Sequence, residues 1–204
     1  MIIGITGGIG SGKSTIAREL ASRGYRLYDT DREAKRLIVS DPELRKRIED
    51  LLGPEVYEGN VYRTDIVSAR VFKDPDLLAR LNAIVHPAVR HDIERLTASI
   101  ASGLSAQRSF SPKGGPSGVA GLIIESALLF ESGLAIMCDK VICVIAPESI
   151  CIARTIARDH TTEEQVRARI ANQMSDSERC SRADIVLVND GKMTISALVN
   201  SLFI

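Results

Sequence analysis

The amino-acid sequence predicts an α/β fold in which a mainly parallel, buried sheet is flanked by helices. Three observations carry that expectation. Short apolar runs alternate with longer segments of helical period. A glycine-rich turn, Gly7 to Ser14, follows the first apolar run directly and opens a helical pattern. The 204 residues, 45% hydrophobic and 25% charged, suffice to bury one compact core that carries insertions.

Taken in order, the expected core strands are Met1 to Thr6, Tyr25 to Tyr28, Leu122 to Ile124 and Lys140 to Ile145, with Ile185 to Val188 as a fifth. Their continuous apolar runs suit strands covered on both faces. Between the second and third lies a long, mostly helical stretch in which Pro42, Pro54, Pro75 and Pro87 are expected to mark starts and breaks. The expected division is a sheet-bearing core of residues 1–30, 119–146 and 175–204, and a helical domain of residues 31–102. Residues 103–118, rich in Gly, Ser and Pro, read as a flexible exposed loop. Residues 147–174 form a second helical insertion, placed where a mobile lid would be.

Composition removes several classes of function. With 26 Lys and Arg against 26 Asp and Glu, the formal net charge is zero. No general field draws the chain to nucleic acid or to an anionic membrane, so an anionic ligand must be held locally. Met1 to Ile5 is too short and uncharged to read as a signal peptide, and no run approaches the roughly 20 apolar residues of a membrane helix. Cys138, Cys143, Cys151 and Cys180 show no C-x-x-C pair and no zinc-finger spacing; small apolar packing is their expected role. Reduced thiols fit an intracellular protein, and a cytoplasmic location is expected.

Gly7-Gly8-Ile9-Gly10-Ser11-Gly12-Lys13-Ser14 satisfies G-x-x-x-x-G-K-[ST] between a strand and a helix. Glycines let the backbone turn tightly around phosphate oxygens so that several N–H groups and the helix N-terminus face the anion. Lys13 is expected to reach the β and γ phosphates and the Ser14 hydroxyl to ligate Mg²⁺. Average composition gives about one accidental match per hundred chains of this length. The motif therefore predicts a P-loop NTPase fold, although it does not separate a kinase from a GTPase or a nucleotide-gated switch. The guanine-reading N-K-x-D pattern is absent.

The second strand runs into Asp29-Thr30-Asp31. A carboxylate at a strand end beside a phosphate loop suits a general base toward an acceptor hydroxyl, while aspartate is equally a favoured helix cap; local sequence leaves both open. Arg154 and Arg158 share a helix face by their i, i+4 spacing, and Arg169 with Gln173 repeats it on the next expected helix, for which Thr161 and Glu164 are the expected capping box. Arginines on a closing lid suit phosphoryl transfer, but an arginine taken singly is ordinarily a solvated surface residue.

On these residues the chain resembles the dephospho-CoA kinase family of P-loop kinases, from Ile3 to about Ser196. Gly4 to Thr15 is similar to the family's phosphate loop, with Gly8, Gly10, Ser11, Gly12, Lys13, Ser14 and Thr15 as its nucleotide contacts. Asp29-Thr30-Asp31 falls on the family's D-x-D, which implies Asp31 as the base. His86-Pro87 with Arg90 resembles H-P-x-x-R, and Leu128-Leu129-Phe130-Glu131 resembles L-L-F-E. His86, Arg90, Glu131 and Arg169 are thereby implied in acceptor binding, Arg154 in catalysis, and Arg158 and Asn189 in nucleotide binding. Asn189-Asp190-Gly191 fits a late turn near the adenine, or a simple chain reversal. The family's Asp and Pro before L-L-F-E are replaced here by Glu125 and Ala127. Glutamate can hold Mg²⁺ or its waters on a longer stem.

The resemblance implies ATP and Mg²⁺ as cofactors, dephospho-CoA as acceptor, no nucleic-acid or membrane partner, and a monomer or weak homo-oligomer. Another small-molecule kinase, a regulatory module without transfer, and a GTPase switch are the competing readings.

Overall fold

The computed structural model describes residues 1–71, 74–102 and 120–203. The loop expected at residues 103–118 lies outside them. The chain forms two compact units, one of Met1–Asp29 with Ser102–Ile204 and one of Thr30–Ala101.

The first unit opens with β1 (Ile2–Thr6), α1 (Lys13–Ser22) and β2 (Tyr25–Asp29). On α1 the positions Ile16, Ala17 and Leu20 share one buried face. Each large apolar side chain so placed contributes about 1.5–3 kcal/mol.

The second unit holds α2 (Thr30–Ser40), α3 (Pro42–Leu52), the two-residue strands β3 (Tyr57–Glu58) and β4 (Val61–Tyr62), α4 (Thr64–Val71) and α5 (Pro75–Ala101). Asp41 caps α3, its carboxylate accepting from the Glu43 and Leu44 amides at 3.0 and 3.1 Å, and Pro42 follows at the first helical position. Asp74 does the same for α5 through the Leu77 amide. The β3–β4 hairpin, absent from the sequence expectation, pairs Tyr57 with Tyr62. Tyr57 Oη donates to the Ile38 carbonyl at 3.0 Å, and the Arg45 guanidinium lies 4.4 Å over its ring.

Pro87 corrects one expectation, since it lies inside α5 and does not end it. Leu81, Val89 and Ile93, spaced by eight and four residues, form one buried face along α5, which packs on α2, α3 and α4. That packing overrides the lost backbone hydrogen bond and the ring clash that proline brings. Pro87→Ala is accordingly expected to stabilise the protein by roughly 1–2 kcal/mol, read as a higher denaturation midpoint; an unchanged or lower midpoint would mean that the helix is already relaxed around the ring.

The chain returns to the first unit with β5 (Gly121–Glu125), β6 (Lys140–Ile145), α6 (Glu148–Asp159), α7 (Glu163–Ala171), α8 (Asp176–Arg182), β7 (Ile185–Val188) and α9 (Ile195–Asn200). Among the described residues the five long strands form a wholly parallel sheet in the order β2-β5-β1-β6-β7. Ile3, Ile5, Ile123, Ile142, Val144 and Leu187 of the sheet pack with Ile16, Ala17 and Leu20 of α1 and Leu198 and Val199 of α9 to form the core.

A second correction concerns α7. Its cap is Thr162, whose hydroxyl accepts from the Gln165 amide, one residue beyond the expected Thr161. Thr161 donates its hydroxyl to the Gln165 side chain instead. The four cysteines are free thiols. Burial pushes Cys138 and Cys143 up to about 12, so they stay protonated near neutral pH. Among the described residues no helix is long and apolar enough to cross a membrane.

Candidate active site

The site is built where β1 ends. Thr6 is the last residue of the central strand, Gly7 to Gly12 form the loop, and Lys13 begins α1. Gly10 and Gly12 take φ of +76° and +93°, and a Cβ on either would sit 2.2 Å from the Cys151 carbonyl oxygen or from Asn189 Nδ2. Only glycine meets both the backbone conformation and the close approach.

The loop is braced through its carbonyls. Asn189, directly after β7 and 3% exposed, donates from Nδ2 to the Ser11 carbonyl at 2.9 Å. Arg154 on α6 donates from Nη1 to the Asn189 carbonyl at 3.1 Å and lies 3.5 Å from the carbonyls of Gly10 and Ser11. Because C=O and N–H of one trans peptide point in opposite directions, the Ser11 carbonyl held by Asn189 aims the Gly12 N–H the other way. Gln173 Oε1 accepts from the Ile9 amide at 3.0 Å.

Glu125 is the last residue of β5 and is 7% exposed. It accepts a short hydrogen bond from the Ser14 hydroxyl. A hydroxyl and a carboxylate, both hard oxygen donors, suit Mg²⁺, which takes one or two protein ligands and completes its shell with water and phosphate. Two buried hydroxyls nearby, Thr6 Oγ1 and Ser11 Oγ, have no hydrogen-bond partner among the described residues. Orphaned polar atoms around a glycine loop are what a site shaped for a polar ligand leaves behind.

Asp29 ends β2, paired in register with Glu125, and Asp31 is an exposed residue in the first turn of α2. The exposed Thr15 follows Ser14 on α1. Arg158 and Arg169 meet at one carboxylate, since Asp159 accepts from Arg158 Nε at 2.7 Å and from Arg169 Nη1 at 3.1 Å. Glu131 is exposed in the turn after β5. His86 and Arg90 lie on α5, one turn apart.

His86 is half-buried, and burial pushes its imidazole below the ordinary value near 6.5. The folded protein then binds fewer protons than the unfolded chain just below that pH. Stability is thus fully present above about pH 6.5 and falls as pH drops below it. His86→Gln is expected to flatten the decline in unfolding midpoint between pH 7 and 5; a variant with the wild-type slope would assign the acid sensitivity to other groups.

Sequence reasoning missed Arg179 of α8, which is 1% exposed and lies against Gly8. Its local sequence, a short polar helix capped by Ser175, gives no sign of burial.

A parallel sheet with a glycine-rich phosphate loop leaving its central strand, backed by a serine hydroxyl on a buried carboxylate, defines a P-loop nucleotide-binding protein. A family model described as dephospho-CoA kinase matches residues 1–194. The chain is 36% identical over 190 residues to a dephospho-CoA kinase of Bacteroides fragilis, covering 93% of this chain and 85% of that protein. It is 40% identical over 171 residues to one of Porphyromonas gingivalis, covering 84% and 76%. A solved dephospho-CoA kinase from Campylobacter jejuni shares the fold at TM-score 0.67 and 20% identity, over 99% of this chain and 94% of that one. The chain belongs to the dephospho-CoA kinase family.

Proposed function

We propose that the protein transfers the γ-phosphoryl group of ATP to the ribose 3′-hydroxyl of dephospho-CoA, giving CoA and ADP. The observation that carries this reading is the braced loop Gly7 to Ser14, with Ser14 on the buried Glu125, inside a chain that matches the family over residues 1–194.

Asp31 accepts the proton of the 3′-hydroxyl as its oxygen bonds to the γ-phosphorus and the bond from that phosphorus to the bridging oxygen breaks, releasing ADP. Lys13, the amides of Gly8, Gly10, Ser11 and Gly12, and Arg154 stabilise charge on the transferred group. Thr15, Arg158 and Asn189 serve the nucleotide, and His86, Arg90, Glu131 and Arg169 the acceptor. Ser14 and Glu125 are the residues that would hold Mg²⁺, whose charge, when bound, neutralises the phosphate oxygens. The Arg154 bonds to the loop carbonyls give it a second duty, holding the loop's shape before ATP arrives. On this reading the protein is a cytoplasmic enzyme acting as a monomer or weak homo-oligomer, with residues 31–102 as the acceptor domain and 147–174 as the lid.

The test is coupled ADP release by the purified protein with ATP and Mg²⁺, with and without dephospho-CoA. Release that depends on the acceptor, with CoA as product, is expected; ATP binding without acceptor-dependent turnover would refute the substrate assignment.

A further inference from the structure

Among the described residues Arg179 is the largest of the wholly buried side chains, at 1% exposure. Its guanidinium makes one hydrogen bond, from Nη1 to Asp176 Oδ1 at 3.0 Å, while Nε and Nη2 have no partner among the described residues. Asp176 is itself about half exposed. A guanidinium does not deprotonate in proteins, so the charge persists however poorly it is solvated. Replacing a buried ion pair with apolar residues of similar volume is often neutral or stabilising, the penalty for removing one partner alone being that the other is left buried without its counter-charge; Asp176, about half exposed, keeps its hydration. Stability of the empty protein therefore gives no reason for an arginine at this place.

Its location gives one. A Cβ built on Gly8 would lie 3.5 Å from Arg179 Nη1, 3.5 Å from Asp176 Oδ1 and 3.7 Å from Gln173 Oε1. The charge thus sits against the backbone of the first half of the glycine loop. Its neighbour Gln173 holds the Ile9 amide of that same loop. Among the described residues the other buried side-chain N and O atoms without partners, Thr6 Oγ1 and Ser11 Oγ, belong to the same strand end and loop. A fixed charge in a poorly screened interior acts on an anion across the loop far more strongly than one in water.

We infer that Arg179 is a positioning residue of the phosphate site: a buried cation behind Gly8 that favours the triphosphate over shorter nucleotides without touching it. The inference rests on reading Gly7 to Ser14 as a triphosphate site. Because the interaction is with charge, removing it weakens ligands in proportion to the phosphates they carry. Since ground state and transition state are both polyanionic, it raises KM for ATP more than it lowers kcat.

The experiment compares wild type, Arg179→Met, Arg179→Lys and Asp176→Asn for dissociation constants of ATP, ADP and AMP, KM and kcat, and ligand-free melting temperature. Expected for Arg179→Met are a loss of tenfold or more for ATP, less for ADP and under twofold for AMP, with a melting temperature equal to or above wild type. Arg179→Lys should recover most of the ATP affinity. Asp176→Asn removes the opposing charge from an exposed position and should bind ATP at least as tightly as wild type, an arm that holds even if Arg179→Met fails to fold. Equal losses for all three nucleotides with a lowered melting temperature, or weaker ATP binding by Asp176→Asn, would make Arg179 a structural strut and overturn the inference. A wild-type protein that prefers ATP no more than AMP would refute the phosphate-site reading itself, and this inference with it.

Discussion

Asp31→Asn is expected to lower kcat for dephospho-CoA phosphorylation by about 10² to 10⁴-fold, the range that a positioned general base contributes. Asparagine keeps the size of the side chain and its capacity to accept a hydrogen bond, but it cannot take the proton that the acceptor hydroxyl must lose. Folding should survive. Asp31 is exposed in the first turn of α2, where a carboxylate is worth about 0.3–1 kcal/mol against the helix dipole. Affinity for ATP should stay within about twofold, because Asp31 is assigned to the acceptor and not to the nucleotide. The informative readout is therefore the contrast between two assays on one sample: ATP binding by calorimetry and turnover by coupled ADP release. A variant that turns over within threefold of wild type would remove Asp31 from the chemistry and leave it as a helix-end residue.

Gly12→Ala is the second large effect, and it strikes fold and function together. At φ +93° an alanine incurs about 1–2 kcal/mol of backbone strain. The added Cβ would fall 2.2 Å from Asn189 Nδ2, the donor that holds the Ser11 carbonyl. Asn189 is buried and must shift, leaving that carbonyl without its partner at roughly 1–3 kcal/mol. The sum, about 2–5 kcal/mol, is a large part of the stability of a typical domain. Loss of phosphate binding follows, since the carbonyl that directs the Gly12 amide is no longer fixed. The expected outcome is a much lower unfolding midpoint and no thermal shift on adding ATP. Near-wild-type stability with intact ATP binding would show that the loop has a second arrangement free of this contact.

The sequence made the sheet legible because strands buried on both faces read as unbroken apolar runs, and Lys140–Ile145 and Ile185–Val188 stand where such runs lie. Its polar strand ends were less legible. β2 and β5 each extend one residue further than their apolar runs, to Asp29 and Glu125, because hydrogen bonding continues after hydrophobicity stops. The β3–β4 hairpin escaped notice since two-residue strands show no alternation, although Gly59-Asn60 at its turn is a usable signal. Pro87 misled because local propensity is a weak prior beside the packing of Leu81, Val89 and Ile93. The glycine motif located the loop, but its bracing by Arg154 and Asn189 joins residues more than 140 positions apart. No local pattern encodes such a contact, and Arg179 is hidden for the same reason.

The strand order carries a further consequence, for the way the chain acquires its structure. β1 and β2 are consecutive in sequence yet do not pair with each other, because β5 lies between them. β5 begins at Gly121, so residues 30–120 must leave the ribosome before either strand on that side gains its partner. Thr30–Ala101, with its contacts among neighbouring helices, can form early, whereas the sheet waits for pairings of long sequence separation and their entropic cost. The nascent chain thus carries β1 as an unpaired apolar segment throughout synthesis of its first half, the interval in which exposed strand edges favour aggregation most.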